Sequence, residues 1–331
     1  MQVKDIGEQG LLRILQKFCP AEIVGDDCAV MATTPNKSLA ITTDMLVDGV
    51  HFSDRTTGPY YAGWRATAAN LSDLAAMGAK PLAVTVALAV AGDTAVEWVE
   101  EFYRGMTACL QEYHTPIVGG DVVRSPVVTV AITAFGQVEC DRTISRSNAR
   151  SDWAIVATGV HGASRAGLEL LLNPEFGQNL EKVDRASLIL AHQRPKPRLD
   201  VLPVVWEILD SAGEFSIAGM DSSDGLADAI IQICQASGVG AKVDRTKLPI
   251  PDIFSEIVST ETALDWALYG GEDFELVLFL PIANAELLVE KIGNGAAIVG
   301  TATDSTDIWL TDSSGIYPNA LLKLDRGFQH F

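Results

Sequence analysis

The stretch GMDSSDGLADAI, residues 219–230, sets Asp221, Ser222, Ser223 and Asp224 ahead of a glycine, between an apolar run and a helical one. One short polar side chain is enough to cap a helix, and here there are four. Two ionised carboxylates about 4 Å apart repel by about 4 kcal/mol at an effective dielectric near 20. Such a pair must spread apart, hold a proton or bind a cation. The start of the following helix offers backbone N–H groups to an anion. A turn that attracts both a cation and an anion has the chemistry to take a metal–nucleotide complex; the plainer alternative is a helix cap by Ser223 or Asp224.

Similar acidic knots recur along the chain. GDDCAV (25–30) carries Asp26 and Asp27, and TTDMLVDGVHF (42–52) ends an apolar run with Thr42, Thr43 and Asp44 and adds His51. Hydroxyl and carboxylate oxygens are the hard ligands that Mg²⁺ takes. Asp73 sits inside a helical pattern one turn after Asn70, where its side chain competes with the backbone. IVGGDVVR places Asp121 after Gly119 and Gly120, a pair that lets a ligand approach the backbone and equally fits a hairpin turn. GGED (270–273) repeats the pattern. Taken singly, each of these knots also reads as a solvated turn or strand end. Zinc fits poorly, because the five histidines are scattered and no Cys/His cluster exists. No EF-hand spacing, GxxxxGK[ST] loop or strand-linked GxGxxG is present, so a bound nucleotide needs a different frame.

The elements that position these residues can be traced from periodicity. Residues 39–48 read as a strand, 59–77 as a helix closed by Gly78, 82–90 as a strand, and 94–113 as a helix with Val96, Val99, Phe102 and Met106 on one face. TPIVGGD reads as a short strand entering a glycine turn, and 127–138 as a strand. The polar, basic segment 139–153 reads as a domain junction. A strand (153–158), a helix (163–172), a polar section around 173–186 and the punctuation RPKPRL (194–199) follow. The second half then repeats the style of the first: FSIAGM, the acidic turn, LADAIIQICQASG, GAKVD and FELVLFLP. The fold class is α+β or mixed α/β, in two domains, 1–139 and 140–331. The 331 residues are too many for one typical core.

The chain carries 24 basic and 43 acidic residues, a formal charge of −19. That field repels nucleic acid, anionic membrane and free polyphosphate alike, so a nucleotide is expected to arrive with divalent metal. The longest apolar run, PLAVTVALAVAG, is about half the roughly 20 residues a bilayer needs. Five well-separated cysteines and an N-terminus without a signal-peptide core point to a cytoplasmic protein.

In order, GDDCAV, TTDMLVDGVHF, NLSDLAAMGAKP, GGDVVR, RSNARSDW, RPKPRL, MDSSDGL and GGEDFEL resemble the thiamine-monophosphate kinase family. That family lies in the PurM-like superfamily of aminoimidazole ribonucleotide synthetase and selenophosphate synthetase. The resemblance implies phosphorylation of thiamine monophosphate by ATP to thiamine diphosphate, the last step of that cofactor's synthesis. It also implies an N-terminal α/β domain whose sheet pairs with its twin in a homodimer, a C-terminal α+β domain, and ATP held with several Mg²⁺ ions. By motif position the metal ligands would be Asp27, Thr42, Thr43, Asp44, Asp73, Asp121, Asp221 and Asp224. Gly120, Asp121, Arg146 and Ser223 would meet ATP, with Tyr103 nearby. His51 and Glu272 would face the thiamine phosphate, with Phe328 as an aromatic contact. The chain departs from the family in reading RSNARSD where RSGAxPGD is usual. It also has Asp325, flanked by Phe328 and Phe331, where the family places a tryptophan. Another synthetase of the superfamily, or a non-catalytic Mg–nucleotide sensor, is the alternative.

Overall fold

The computed structural model describes residues 1–20, 33–213, 215–293 and 295–323. Asp26, Asp27, Asp325, Phe328 and Phe331 lie outside them. The chain divides into two compact units, Met1–Leu74 with Ala79–Cys140, and Ala75–Gly78 with Asp141–Phe331.

The first unit runs α1 (Val3–Leu15), β1 (Lys37–Val47), α2 (Pro59–Ala76, whose last two residues belong to the second unit), β2 (Lys80–Val90), α3 (Val96–Glu112), β3 (Ile117–Arg124) and β4 (Thr129–Glu139). The strands form one sheet in the order β1-β4-β2-β3, with only β2 and β3 parallel. Period-two alternation gives the sheet a covered and an open face. Leu46, Val84, Val86, Leu88, Val130 and Ile132 are buried, as are Leu71, Leu74, Phe102 and Met106 of α2 and α3. Helices α2 and α3 cross closely: a Cβ on Gly63 would sit 2.0 Å from the Phe102 carbonyl oxygen, and one on Gly105 would sit 1.7 Å from that of Tyr60. The open face keeps Leu39, Ile41, Met45 and Val123 exposed.

The glycine pair of IVGGD lies inside β3 rather than at a turn. The cause is steric. A Cβ on Gly120 would meet the Val86 carbonyl oxygen at 2.0 Å, so glycine lets β3 close up on β2.

The second unit contains β5 (Ala154–Ala157), α4 (Ala163–Leu172), α5 (Lys182–Gln193), α6 (Leu202–Ala212), β6 (Ala218–Asp221), α7 (Leu226–Ser237), β7 (Gly240–Asp244), α8 (Phe254–Ile257), α9 (Thr260–Tyr269), β8 (Leu276–Leu280), α10 (Ile282–Ile292), β9 (Ala297–Thr303), β10 (Ile308–Thr311) and β11 (Ala320–Leu321). Its sheet order is β11-β10-β7-β9-β5-β8-β6. Helices cover both faces of this sheet. Ile155, Ala157, Val277 and Phe279 join α7 residues Leu226, Ile230 and Ile233 in one core cluster. Ala154, Val156, Leu276, Leu278 and Leu280 join Val205 and Leu209 of α6 and Leu288 of α10 in another. Burial on both faces is why FELVLFL reads as an unbroken apolar run. Part of the polar section around 173–186 is the first turn of α5. Among the described residues, no helix is long and apolar enough to cross a membrane.

Gly105→Ala is expected to force α2 and α3 apart, costing about 2–3 kcal/mol of stability. A lowered urea midpoint at unchanged slope measures this.

Candidate functional site

In the first unit, α2 delivers Asn70 and Asp73 to the β1 edge. The Thr42 hydroxyl donates to Asp73 Oδ2, and Asn70 Oδ1 accepts the Asp44 N–H at 3.2 Å. Asn70 is itself buried, its Nδ2 donating to the Ala66 carbonyl at 3.0 Å. Thr42, Asp44 and Asp73 are thus brought together with an asparagine that sequence reasoning treated only as a neighbour. Thr43 is different. As the next residue in the strand it faces the open side, and its Oγ1 lies 2.6 Å from Thr133 Oγ1.

Asp121 is also apart from Asp44. It is registered with Ala87, Ala131 and Met45 across the sheet, a row of the open face. β1 and β3 are opposite edges of that sheet, about 14 Å apart at the usual strand spacing. One copy of this unit therefore does not gather all its predicted ligands. Gly120 precedes Asp121 on the same edge, and Asp121 Oδ1 accepts the Val122 N–H at 2.8 Å.

His51 sits in the loop after β1. Its Nδ1 accepts the Val47 N–H at 3.1 Å, so the neutral ring carries its proton on Nε2. Its carbonyl accepts from Arg65 Nη1 at 2.9 Å, an arginine only 2% exposed that also reaches Thr57 Oγ1. Tyr103 is buried in an aromatic row with Phe18 and Phe102.

In the second unit, the acidic turn follows β6. Asp221 is 3% exposed and Ser222 fully buried, whereas Asp224 is exposed. The turn thus places its two carboxylates in different surroundings. Ser223 Oγ donates to Asp221 Oδ1 at 3.4 Å. Helix α7 begins after Gly225, an N-cap position that carries no side chain of its own. Gly225 has φ 107°, and a Cβ there would lie 2.9 Å from the Leu268 carbonyl oxygen. Arg146 reaches Gln232 Oε1 on α7 at 2.7 Å, and Gln232 holds Asp228 at 2.5 Å. Burial raises the Asp228 carboxyl above the usual range, partly offset by Gln232 and Arg146.

The GGED turn is locked to this acidic turn. The Glu272 N–H donates to the Ser223 carbonyl at 2.7 Å, and the Ser222 N–H to the Glu275 carbonyl at 2.8 Å. Asp273 is turned inward, accepting the N–H groups of Gly162 at 2.6 Å and Ser164 at 2.8 Å as α4 starts. Burial pushes its carboxyl up to about 7 against those two bonds. Glu275 is largely covered as well, its side chain 14% exposed. It accepts from Thr158 Oγ1 at 2.6 Å and from Arg198 Nη1, and Arg198 also donates from Nε to Asp200 at 3.0 Å. The motifs GGEDFEL and RPKPRL contained these residues, but their spacing could not distinguish the inward Asp273 and Glu275 from Glu272.

His161 fastens the turn from below. Its Nδ1 donates to the Gly159 carbonyl at 3.0 Å, which leaves Nε2 to accept from Ser222 Oγ at 3.0 Å. Complete burial lowers its pKa to about 4, so the ring is neutral.

The donor set around both acidic turns is all oxygen, as magnesium requires. Among the described residues, no three His, Cys, Asp or Glu side chains form a ready-made metal cage. Mg²⁺ tolerates that, since it keeps several waters and takes one or two carboxylates plus substrate phosphates. The residues present therefore fit Mg²⁺ carried with a nucleotide.

Known proteins resemble this chain in sequence and in fold. Residues 25–138 match the family model "AIR synthase related protein, N-terminal domain", which places that segment in the AIR-synthase-related class. The chain is 47% identical to a thiamine-monophosphate kinase of Synechococcus elongatus over 99% of its own length and 98% of the relative's. It superposes on the crystal structure of thiamine-monophosphate kinase from Stenotrophomonas maltophilia with a TM-score of 0.76 and 31% identity, covering 86% of this chain and 88% of that one. A second solved structure, "AaThiL complexed with AMPPCP and TMP", gives a TM-score of 0.74 and 29% identity over 100% and 99% of the two chains. This chain belongs to the thiamine-monophosphate kinase family.

His161 and Asp273 are expected to set opposing pH slopes. The unfolded chain takes up a proton on histidine near pH 6.5 and the folded His161 only near pH 4, so this group's stabilisation is present above pH 6.5 and lost as pH falls to 4. Folded Asp273 holds its proton up to about pH 7, so its ionisation removes stability as pH rises from about 4 to 7. Each effect is worth about 3 kcal/mol. Between pH 7 and 4, Asp273→Asn should lose stability relative to wild type and His161→Asn should gain it. Urea midpoints at pH 7, 5.5 and 4 measure both.

Proposed function

We propose that this chain transfers the γ-phosphoryl group of ATP to thiamine monophosphate, making thiamine diphosphate and ADP. Its family membership supports this, and so does one structural observation: an acidic turn runs directly into a helix whose N-cap residue is a glycine. Such a helix start binds phosphate, while the carboxylates beside it accept the cation that phosphate brings.

The acceptor is itself a phosphate oxygen, largely ionised at neutral pH because the second pKa of a phosphate monoester is about 6. No strong general base is needed, and the work is positioning and charge neutralisation. In this reading Asp27, Thr42, Asp44, Asp73, Asp121, Asp221 and Asp224 supply oxygen ligands. Gly120, Arg146 and Ser223 meet ATP, and His51, Glu272 and Phe328 meet thiamine monophosphate. Magnesium, when bound, neutralises the donor and acceptor phosphates. Thr42 and Asn70 orient Asp73 and the Asp44 backbone, and His161 holds Ser222 so that the acidic turn keeps its shape. Thr43, on the same open face as Asp121, joins the ligand set with it.

Two copies pair in this proposal through the open face of the four-stranded sheet. Ile41 and Met45 there are 60% and 55% exposed, an apolar surface of the kind that marks an interface. The enzyme works in the cytoplasm, where ATP is at hand and thiols such as Cys19, Cys109, Cys140 and Cys234 stay reduced.

Purified protein given ATP, Mg²⁺ and thiamine monophosphate should release ADP and thiamine diphosphate together; nucleotide binding without ADP release would instead mark a sensor. Asp→Asn at Asp44, Asp73 or Asp224 should cut turnover by about a hundredfold or more with the melting transition retained; full activity would remove these residues from the reading. Ile41→Asp is expected to yield monomers by light scattering.

A further inference from the structure

The segment that carries Arg146 is tied to the strand that enters the acidic turn and to the helix that leaves it. Ser145 bridges Ala218 of β6, and its carbonyl accepts the Gly219 N–H at 3.3 Å. At the far end of α7, Ser237 Oγ donates to the Arg146 carbonyl at 2.7 Å and accepts the Ala149 N–H at 2.9 Å. Nearer the start of the same helix, Gln232 Oε1 accepts from Arg146 Nη1 at 2.7 Å. Backbone and side chain of Arg146 are thus both referred to α7.

Gln232 is itself set by Asp228, one turn back on α7, whose Oδ2 accepts from Gln232 Nε2 at 2.5 Å. An ionised carboxylate only accepts, so the amide turns its NH₂ toward Asp228 and keeps its oxygen for the guanidinium. The opposite orientation would set donor against donor at Arg146. Asp228 lies in the first turn of α7. It and Gln232 are half-buried, whereas Arg146 is exposed. Burial raises the Asp228 carboxyl and the Arg146 charge lowers it, which places the guanidinium close to the helix start. Among the described residues, the bond to Gln232 is the one hydrogen bond of the Arg146 side chain. An i, i+4 pair that only supported the helix would be complete without that third member.

We propose that Asp228 and Gln232 are positioning residues for Arg146, holding its guanidinium beside the start of α7 for the phosphates of ATP. The proposal rests on the kinase reading. An arginine fork takes phosphate through paired N–H groups, and tying one N–H to α7 fixes where the others point. A neutral amide does this without cancelling the charge. Ordering the side chain beforehand lowers the cost of the contact when ATP binds.

The test uses steady-state kinetics on the full chain. Wild-type enzyme that makes no thiamine diphosphate would overturn the kinase reading and this proposal with it. With active wild type, Gln232→Leu should raise KM for ATP about fivefold, the scale of ordering one long side chain. KM for thiamine monophosphate should change less than about twofold by the same scale. Asp228→Leu, which frees the amide to turn, should raise KM for ATP about threefold. Asp228→Glu keeps the accepting carboxylate and should stay near the wild-type value. In the Arg146→Ala background, Gln232→Leu should add nothing further. An unchanged KM for ATP in Q232L, D228L or R146A, equal losses for both substrates, a D228E no better than D228L, or additive effects of Q232L and R146A would overturn the proposal while leaving the kinase reading intact. Should Q232L not fold, the same cycle is run with Gln232→Met, which keeps the unbranched stem, and additivity there is equally decisive.

Discussion

The antiparallel pairing of β6 with β8 is the constraint on which the second unit's chemistry depends. Asp221 lies opposite Leu276, so the acidic turn leaves β6 at the same end of the sheet where the GGED segment enters β8. Two backbone hydrogen bonds, Ser222 to Glu275 and Glu272 to Ser223, then tie the turns into one rigid piece. Every polar group added to that piece is fixed from a different element. His161 comes from the loop after β5, Asp273 caps α4, and Arg198 reaches in from the segment after α5. A one-residue slip of β8 would turn each of its side chains to the other face and exchange the two cores that Val277 and Leu278 now enter.

This construction gives the carboxylates different surroundings. Asp273 and Glu275 are spent inside, on helix N–H groups and on Arg198. Asp224 and Glu272 keep exposure. Of the arginines near these turns, Arg198 is held by Glu275 and Asp200, whereas Arg146 meets the neutral Gln232 and keeps its charge. In a chain of formal charge −19, a cation arriving with the ligand in the proposed reaction would add to that balance.

Much of this was legible beforehand. Helix α4 and strand β7 fall at the residues their patterns indicated, and α2, α3 and α7 do so within a residue or two, because amphipathic periodicity and glycine stops are local signals. What escaped was set by neighbours distant in sequence. Gly119 and Gly120 have turn chemistry, yet the Val86 carbonyl makes them strand residues. Thr42 and Thr43 are equivalent in composition, and only the pleat separates one toward Asp73 and the other toward Thr133. Asp121 reads like Asp44, but strand order puts them on opposite edges.

The missing phosphate-loop signature has a physical counterpart here. A GxxxxGK loop presents helix N–H groups and carries its own lysine, so it meets polyphosphate with positive charge already in place. The DSSDG turn presents the same kind of helix start, with Gly225 at φ 107° making the bend, but it surrounds that start with carboxylates. A bare anion is repelled by such a turn and a metal-bound one is attracted. In the proposed reaction, binding is thereby conditional on the cation. The same condition suits a reaction that must bring two phosphates together, since each arrives with its charge offset and neither requires a basic side chain to be placed between them. The acidity that looks opposed to polyphosphate chemistry is, on this view, the means of admitting only its metal complexes.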